Sequence, residues 1–331
     1  MNSTPTPEQR TKINAAFKSL LRYGIAANSR EQRDIISTNS EGQAVIPLGF
    51  DSAILESQKF YGKLPSLAHR RPVDGGSPQK IAQTDFTSAG MSLVQEGTTS
   101  FLTSTDPTVS SQAPETDSIA ALVKVSWAEL NSGFDLLEWL RNQAGPIVAR
   151  ATEHVLTVGR TNDGLNTVLP NTTPFLPSIP ASVTGSTIAA TLSTTNVVAN
   201  LSATVASLDH GYFEAPGAGW MCSPSVFNAL LAMQDSTGRP LWPVGDDGVM
   251  RIFGKSVYPN AAFPALGTPS SVQLAFGDYS RAFGYVDGSV TIKPLVERFA
   301  TTLETGVLVY RRLAGVPLIT SSVAGLYTPA S

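Results

Sequence analysis

The sequence predicts an α+β fold on three observations. A single long helical stripe spans Phe134 to Val158, and short strand-like runs separated by turn residues recur from Gly219 onwards. Between residues 80 and 126 lies a long hairpin pattern rich in Ser and Thr. Helical and strand periodicities thus both occur, in separate stretches of the chain.

In chain order, Thr6-Pro7-Glu8-Gln9 is a helix start: Thr as N-cap, Pro at the first helical position, an acid in the first turn and Gln at the third. Ile13, Ala16, Phe17, Leu20 and Leu21 then share one face, and Gly24 ends the helix. Asn28 to Asn39 is polar and mixed in charge, the composition of a flexible arm. Gly42 to Pro47 is a short extended piece, because Pro47 turns Ile46 away from helix. Asp51 to Tyr61 reads as a second short helix.

In the hairpin, Phe86, Met91, Leu93, Phe101, Leu102 and Val109 are spaced among polar β-formers, and nine of the fourteen residues from Thr98 to Ser111 are Ser or Thr. That is too little apolar surface for a core, and two strands alone are marginal in water. The segment therefore lies on another surface, or else it is a free surface loop; loops of this length are uncommon and usually functional. Ile119 to Val125 returns as a strand.

In the long helix, Leu136, Leu140, Ala144, Ile147, Val148, Ala151, Val155 and Val158 form the stripe, and Gly145-Pro146 in its middle predicts a kink or a break. Gly164 to Leu208 has no charged residue in 45 positions. Its first half, with Pro170, Pro174, Pro177 and Pro180, reads as loop; its second, with Val198, Leu201, Val205 and Leu208, reads as helix. Gly219 to Cys222, Val272 to Gly277, Ser289 to Pro294 and Thr302 to Arg311 read as strands, and Ser225 to Gln234 as a helix. No internal repeat is present.

The 331 residues contain only 15% charged residues against roughly 25% in ordinary soluble domains, while hydrophobic residues stand at a normal 42%. Ser, Thr, Gly and Pro replace the missing charge. This composition excludes a coiled coil, a charged disordered chain and a Lys/Arg-rich nucleic-acid binder, and the net charge of -3 supplies no field toward DNA. Sparse charge on a soluble chain points to a surface covered by other subunits. Cys222 is the only cysteine, so neither an intrachain disulfide nor a cysteine zinc site exists, which fits a reducing compartment. No apolar run approaches the roughly 18 to 20 residues of a membrane-spanning helix, and no apolar signal core opens the chain, so the cytosol of the cell that makes it is the expected location.

Catalytic and cofactor motifs find no support. His69, His154 and His210 lie far apart, with no HExxH spacing. His154 reads as structural or solvated, and His210 as a carbonyl cap at a helix end. There is no G-x-S-x-G elbow and no P-loop. Gly217-x-Gly219-x-x-Cys222 lacks the third glycine of a dinucleotide fingerprint and precedes a strand where the fingerprint must follow one. Asp246-Asp247 between Gly245 and Gly248 reads as a turn rather than a cation site. Cys222 reads as a small buried hydrophobe. The basic groups His69-Arg70-Arg71 and Arg311-Arg312 are too few for more than weak, salt-sensitive phosphate contact.

Several segments, taken in order, resemble tailed-phage major capsid proteins of the Hong Kong 97-type fold. Gly42-Gln-Ala-Val-Ile-Pro47 before a short helix is similar to the family's opening segment. It is followed by the Ser/Thr-rich hairpin, a strand ending in Trp127, and Phe134-Asp135-Leu136 opening the long helix. Trp220-Met-Cys-Ser-Pro224 leads to a helix ending at Asp235-Ser-Thr-Gly-Arg-Pro-Leu241, similar to the family's strand, "NP" helix and "D-x-x-G-R" turn. Phe253-Gly254-Lys-Ser-Val257 resembles its "GxPV" strand, with Ser256 where Pro is common, and Phe276-Gly277-Asp278-Tyr279 its "FGDF" turn. Phe299 to Ile319 resembles its closing strand. The resemblance covers residues 15 to 326.

What the resemblance implies is an N-terminal arm (1–50), a P-domain (51–79 and 119–189, holding the long spine helix), an E-loop (80–118), an axial A-domain (190–290), and a closing P-domain strand with the C-terminus (291–331). It implies a non-enzymatic shell subunit, without cofactor or metal, that forms pentamers and hexamers of an icosahedral shell around double-stranded DNA. The runner-up on the same fold is a cellular nanocompartment shell. Expected partners are further copies of the chain, a separate scaffold, a portal, a decoration protein, and packaged DNA in non-specific contact; no membrane is expected. Phe17, Leu20, Phe86, Met91, Leu93, Glu96, Phe101, Leu102, Arg311 and Arg312 are the expected subunit-interface residues. Only about 40 residues precede the fold, so no cleaved scaffolding domain is expected. Members that cross-link use an E-loop Lys and an Asn near the last strand. The E-loop tip around Glu96-Gly97-Thr98 has no Lys, and Thr301-Thr302 occupies the Asn neighbourhood, so a non-covalent shell is expected.

Overall fold

Strand-formers and helix-formers scattered over the chain converge on two sheets. The computed structural model describes residues 36–38, 44–47, 62–73, 80–85, 108–112, 114–128, 136–163, 165, 167–183, 194–295 and 297–327. The expected helices at 6–24 and 51–61 lie outside these. The first half comprises β1 (Ile36–Thr38), β2 (Ala44–Pro47), α1 (Leu64–Leu67), β3 (His69–Val73), β4 (Ile81–Asp85), β5 (Thr108–Gln112), β6 (Asp117–Ser126), α2 (Leu136–Val158) and α3 (Phe175–Ser178). There follow β7 (Ala181–Val183), α4 (Thr194–Ala206), α5 (His210–Glu214), β8 (Ala218–Cys222), α6 (Pro224–Leu231), β9 (Arg251–Ile252), β10 (Lys255–Pro259) and β11 (Val272–Asp278). The chain closes through α7 (Tyr279–Ala282), β12 (Phe283–Gly288), β13 (Thr291–Leu295), β14 (Glu304–Pro317) and β15 (Val323–Tyr327).

The first sheet has the order β13-β14-β12-β3, with β6 on the other side of β14. β6 runs antiparallel to β14 from Ser126 opposite Glu304 to Asp117 opposite Leu313. The second sheet has the order β7-β15-β11-β8-β10-β9. Its strands come from both inside and outside residues 190–290, and β12, inside that range, belongs to the first sheet. Two small sheets, β1-β2 and β4-β5, stand apart.

Two cores result. Leu156, Phe175, Met221, Tyr279, Phe283, Tyr285 and Leu313 bury the space where α2, α3 and α7 meet both sheets. Trp220, Val226, Leu230, Met250, Leu274 and Phe276 fill the second sheet's other core, beneath α4 and α6. α6 begins as its sequence dictates: Ser223 caps the Val226 N–H and Pro224 opens the first turn.

Four expectations change. The polar stretch 28–39 contains β1, because Ile36 pairs with Pro47 of β2. The Pro-rich stretch after Gly164 contains α3, whose Phe175 is fully buried, and β7, which adds in parallel to β15; one buried aromatic and one open sheet edge suffice to order it. The buried face of α2 is rotated: Ala144, Val148, Ala149, Val155 and Leu156 point inward together with Thr152, Glu153 and Thr157, while Ile147 is 42% exposed. The inward hydroxyls are satisfied within the helix, Thr152 donating to Val148 O (2.7 Å) and Thr157 to Glu153 O (2.7 Å). α2 also continues unbroken through Pro146.

β3, β12 and β15 were not legible from periodicity. β3 is a His and two Arg followed by Pro72, a composition suited to an open sheet edge, and β3 sits at such an edge, parallel to β12. β14 extends to Pro317, beyond the expected Arg311, because β6, β13 and β12 cover successive parts of it.

Candidate assembly surfaces

The base of the Ser/Thr-rich hairpin is built from β4 and β5, which pair antiparallel from Ile81–Gln112 to Asp85–Thr108. Ile81 is buried and packs with Val286, Val316 and Leu318 on the first sheet. Ile81 thus seats the hairpin base on the first sheet, while among the described residues its two strands join no other sheet. Phe17, Leu20, Phe86, Met91, Leu93, Glu96, Phe101 and Leu102, the expected contact residues of arm and hairpin, lie outside the described residues.

Arg311 and Arg312 separate. Arg312 is exposed, whereas Arg311 is buried, which corrects its expected place at a subunit surface. The alternation of β14 turns Arg311 inward, where its Nε donates to Asp287 Oδ1 (2.6 Å), a second nitrogen pairs with the same carboxylate, and Nη1 donates to Thr152 Oγ1 (3.1 Å). Asp287, itself fully buried, also accepts from Arg70 Nε at 2.5 Å. One carboxylate therefore ties β3, β12, β14 and α2 together. Its sequence signal was an Asp in β12 and the inward-facing member of an Arg pair in β14, inside largely apolar strands, since a buried charge is stable only when paired and hydrogen-bonded.

A second buried acid links α2 to α1. Glu153 Oε1 accepts the Lys63 N–H at 2.7 Å. Burial pushes its carboxyl up from 4.5 to about 7, while the Lys63 and Leu64 N–H groups and the Lys63 charge pull the other way. The folded protein thus holds a proton between pH 4.5 and 7 that the unfolded chain releases, so stability falls as pH rises through that window, on the order of 3 kcal/mol across it. Glu153→Gln keeps the acceptor oxygen and is expected to remove this slope. Thermal melts at pH 5 and pH 7.5 check it; an unchanged pH difference in the variant rejects the assignment.

The open edge of β6 carries the main exposed apolar surface of the first sheet: Leu122 (42% exposed), Trp127 (39%) and, beside it, Leu303 (60%). Trp127 donates its N–H to Leu303 O at 3.0 Å, so the two lie together at the strand's end. Lys124 pairs with Glu304 (3.6 Å) and sits over the Phe299 ring. Among the described residues no strand covers the outer edge of β6.

The motif residues of the second sheet have local structural roles. Asp235 Oδ1 accepts from Thr237 N (2.8 Å), Thr237 Oγ1 (2.7 Å) and Arg239 N (2.9 Å), which holds its carboxyl below the ordinary value. Gly238 closes that turn at φ +80°. Gly245 to Gly248 is a turn, closed by Gly248 N–H to Gly245 O, with Asp247 paired to Arg251. Asp278 caps α7 by accepting from Ser280 N at 3.1 Å. Cys222 is buried among apolar residues, and burial raises its thiol to about 12. His154 faces Arg160 O at 2.8 Å. His210 stands at the start of α5, not at a helix end, because Asp209 caps that turn; it lies 4.0 Å from Glu214. Among the described residues no three His, Cys, Asp or Glu side chains group as a metal site, and no helix is long and apolar enough to cross a membrane.

This architecture is similar to solved capsid structures. The capsid of an empty GTA particle computed with C5 symmetry aligns at TM-score 0.64 and 21% identity, over 81% of this chain and 89% of that one. The capsid of a native GTA particle, also computed with C5 symmetry, aligns at TM-score 0.62 and 19% identity, over 93% and 97%. A chain from Gordonia phage Cozz aligns at TM-score 0.55 and 14% identity, over 81% and 86%. No curated protein matches the chain in sequence. The sequence pattern of the phage capsid family, however, matches residues 42–326. The chain belongs to the phage capsid family, and it is a structural protein of the capsid.

Proposed function

We propose that the chain is the repeating unit of an icosahedral shell, forming pentamers and hexamers that close around double-stranded DNA without covalent cross-links and without a catalytic step. The observation that carries this reading is the hairpin base. Among the described residues β4 and β5 pair with each other and with no further strand, a two-stranded arrangement that gains stability when a further surface covers it, and Ile81 seats its base on the first sheet. The five-fold GTA capsids of similar fold support a ring of subunits. Repeated contacts, each modest, become strong in a closed symmetric assembly.

In this reading the domain division given by the resemblance places the arm and the 80–118 hairpin on neighbouring subunits, with Phe17, Leu20, Phe86, Met91, Leu93, Glu96, Phe101, Leu102 and Arg312 as contacts. A separate scaffold, a portal and a decoration protein are the other partners. DNA contact is non-specific, because 23 basic residues against 26 acidic ones leave neutralisation to counterions. Negative-stain microscopy and light scattering of the protein, expressed alone and with a scaffold, test the reading. Closed shells containing double-stranded DNA support it; a monomer under both conditions rejects it. Shells loaded with protein cargo and no DNA move it to a nanocompartment. Boiling particles in detergent is expected to release single chains, and a ladder of larger bands overturns the non-covalent assignment.

A further inference from the structure

The basic run His69-Arg70-Arg71 contains a guanidinium that is anchored on one side and open on the other. Arg70 uses its Nε to bind Asp287 Oδ2 at 2.5 Å. Asp287 is held from behind by Arg311, whose own side chain is 97% buried and hydrogen-bonded to Thr152, so the anchor is fixed by the core. The cluster has two guanidinium groups and one carboxylate, an excess of one positive charge. The Arg70 side chain is 40% exposed, and its two terminal nitrogens have no hydrogen-bond or ion-pair partner among the described residues.

Arg70 also stands on β3, an exposed edge strand in which His69, Arg70, Arg71 and Pro72 all face solvent to some extent. An Arg fixed through Nε has lost most of its side-chain freedom before binding. It then offers a planar pair of N–H donors that match a carboxylate at small further entropic cost. A flexible surface Arg lacks that advantage.

The geometry points to Arg70 as a preformed docking point for a carboxylate of a second copy of this chain. The inference rests on the shell reading above. The occupant follows from the fork and from the shell reading: a planar pair of N–H donors on a cluster with one excess positive charge takes a carboxylate, and a neighbouring copy is what an assembled subunit faces. Asp287 is fully enclosed and already bound on both oxygens, so it can anchor the fork but cannot also screen its outer face.

The test uses assembled full-length particles of wild type and of Arg70→Lys and Arg70→Met. Both variants leave Asp287 Oδ1 paired with Arg311. Arg70→Lys keeps a cation beside the buried Oδ2, so its unassembled subunit is expected to melt within about 2 °C of wild type. Arg70→Met leaves that oxygen unpartnered and melts lower, and assembly is therefore read first in the Lys variant. The subunit concentration needed for assembly, read by light scattering, is expected to rise about tenfold, which corresponds to one lost charge-assisted contact. In Arg70→Lys particles a zero-length carbodiimide should couple the new amine to an acidic side chain of another chain, giving a dimer band whose cross-linked peptide contains position 70. A product confined to Asp287 of the same chain, or unchanged assembly in both variants, overturns the inference. So does loss of duplex-DNA binding by Arg70→Met with assembly intact, which assigns the fork to phosphate. If wild type itself fails to assemble even with scaffold, the shell reading fails, a different result from particles that form without the cross-link.

Discussion

Asp287→Ala is expected to lower the stability of the unassembled subunit by about 3 to 5 kcal/mol, the cost of leaving a buried partner charge uncompensated. The side chain is fully buried, and its removal leaves the Arg311 guanidinium in the interior without a counter-charge, hydrogen-bonded to Thr152, and frees Arg70 from β12. The strands β3 and β14 would then lose the common group that fixes them to β12. Urea unfolding of the subunit measures the effect, and a loss under about 1 kcal/mol means the carboxylate is not the joint it appears from its distances. The double change Asp287→Leu with Arg311→Met is expected to be milder than Asp287→Ala alone. Replacing both buried charges by apolar groups of similar size removes the desolvation cost together with the attraction.

Gly277→Ala is expected to cost about 3 kcal/mol, the upper part of the range for overpacking, because the obstruction is backbone rather than a side chain that can turn away. Gly277 lies mid-sheet in β11, opposite Gly219 of β8 and Val323 of β15. A methyl group there would lie 2.6 Å from the Val323 Cα and closer still to the Ser322 carbonyl oxygen. β15 must move away from β11 to admit it, which opens the six-stranded sheet in its centre. Gly238→Ala is the contrast. It has nothing within 4 Å, and its only penalty is the φ of +80°, about 1 kcal/mol. Urea unfolding of the two variants side by side checks the order; equal losses would mean that backbone conformation, not close approach, sets the need for glycine in the Phe276-Gly277-Asp278-Tyr279 turn.

Where neighbours in sequence decide the structure, the sequence reading matches it. Thr195 to Leu208 has helical spacing and α4 forms there; Ser223-Pro224 has a capping signal and α6 starts there. Val272 to Gly277 alternates Val272, Leu274 and Phe276 with Gln, Ala and Gly and becomes β11, buried at every position. The turn residues Asp235 and Gly238 act within five positions of each other, and they fold as their chemistry requires. These features depend on local propensity and hydrogen bonds of short range, and both are written in the residue order.

The sequence alone therefore determined the fold class, the long helix, the pairing of a strand near residue 81 with one near residue 112 and, through the order of weak motifs, the capsid family. Tertiary structure decided which face of α2 is buried, because Thr152 and Glu153 find polar partners inside and Ile147 does not need to be inside. It also decided the fate of the basic pairs. Arg70 meets Asp287 across 217 residues and Arg311 meets it across 24, and no periodicity encodes such a meeting. A charge in an apolar strand states that it needs a partner; only the register of β3, β12 and β14 fixes which partner it has and which guanidinium is left facing out.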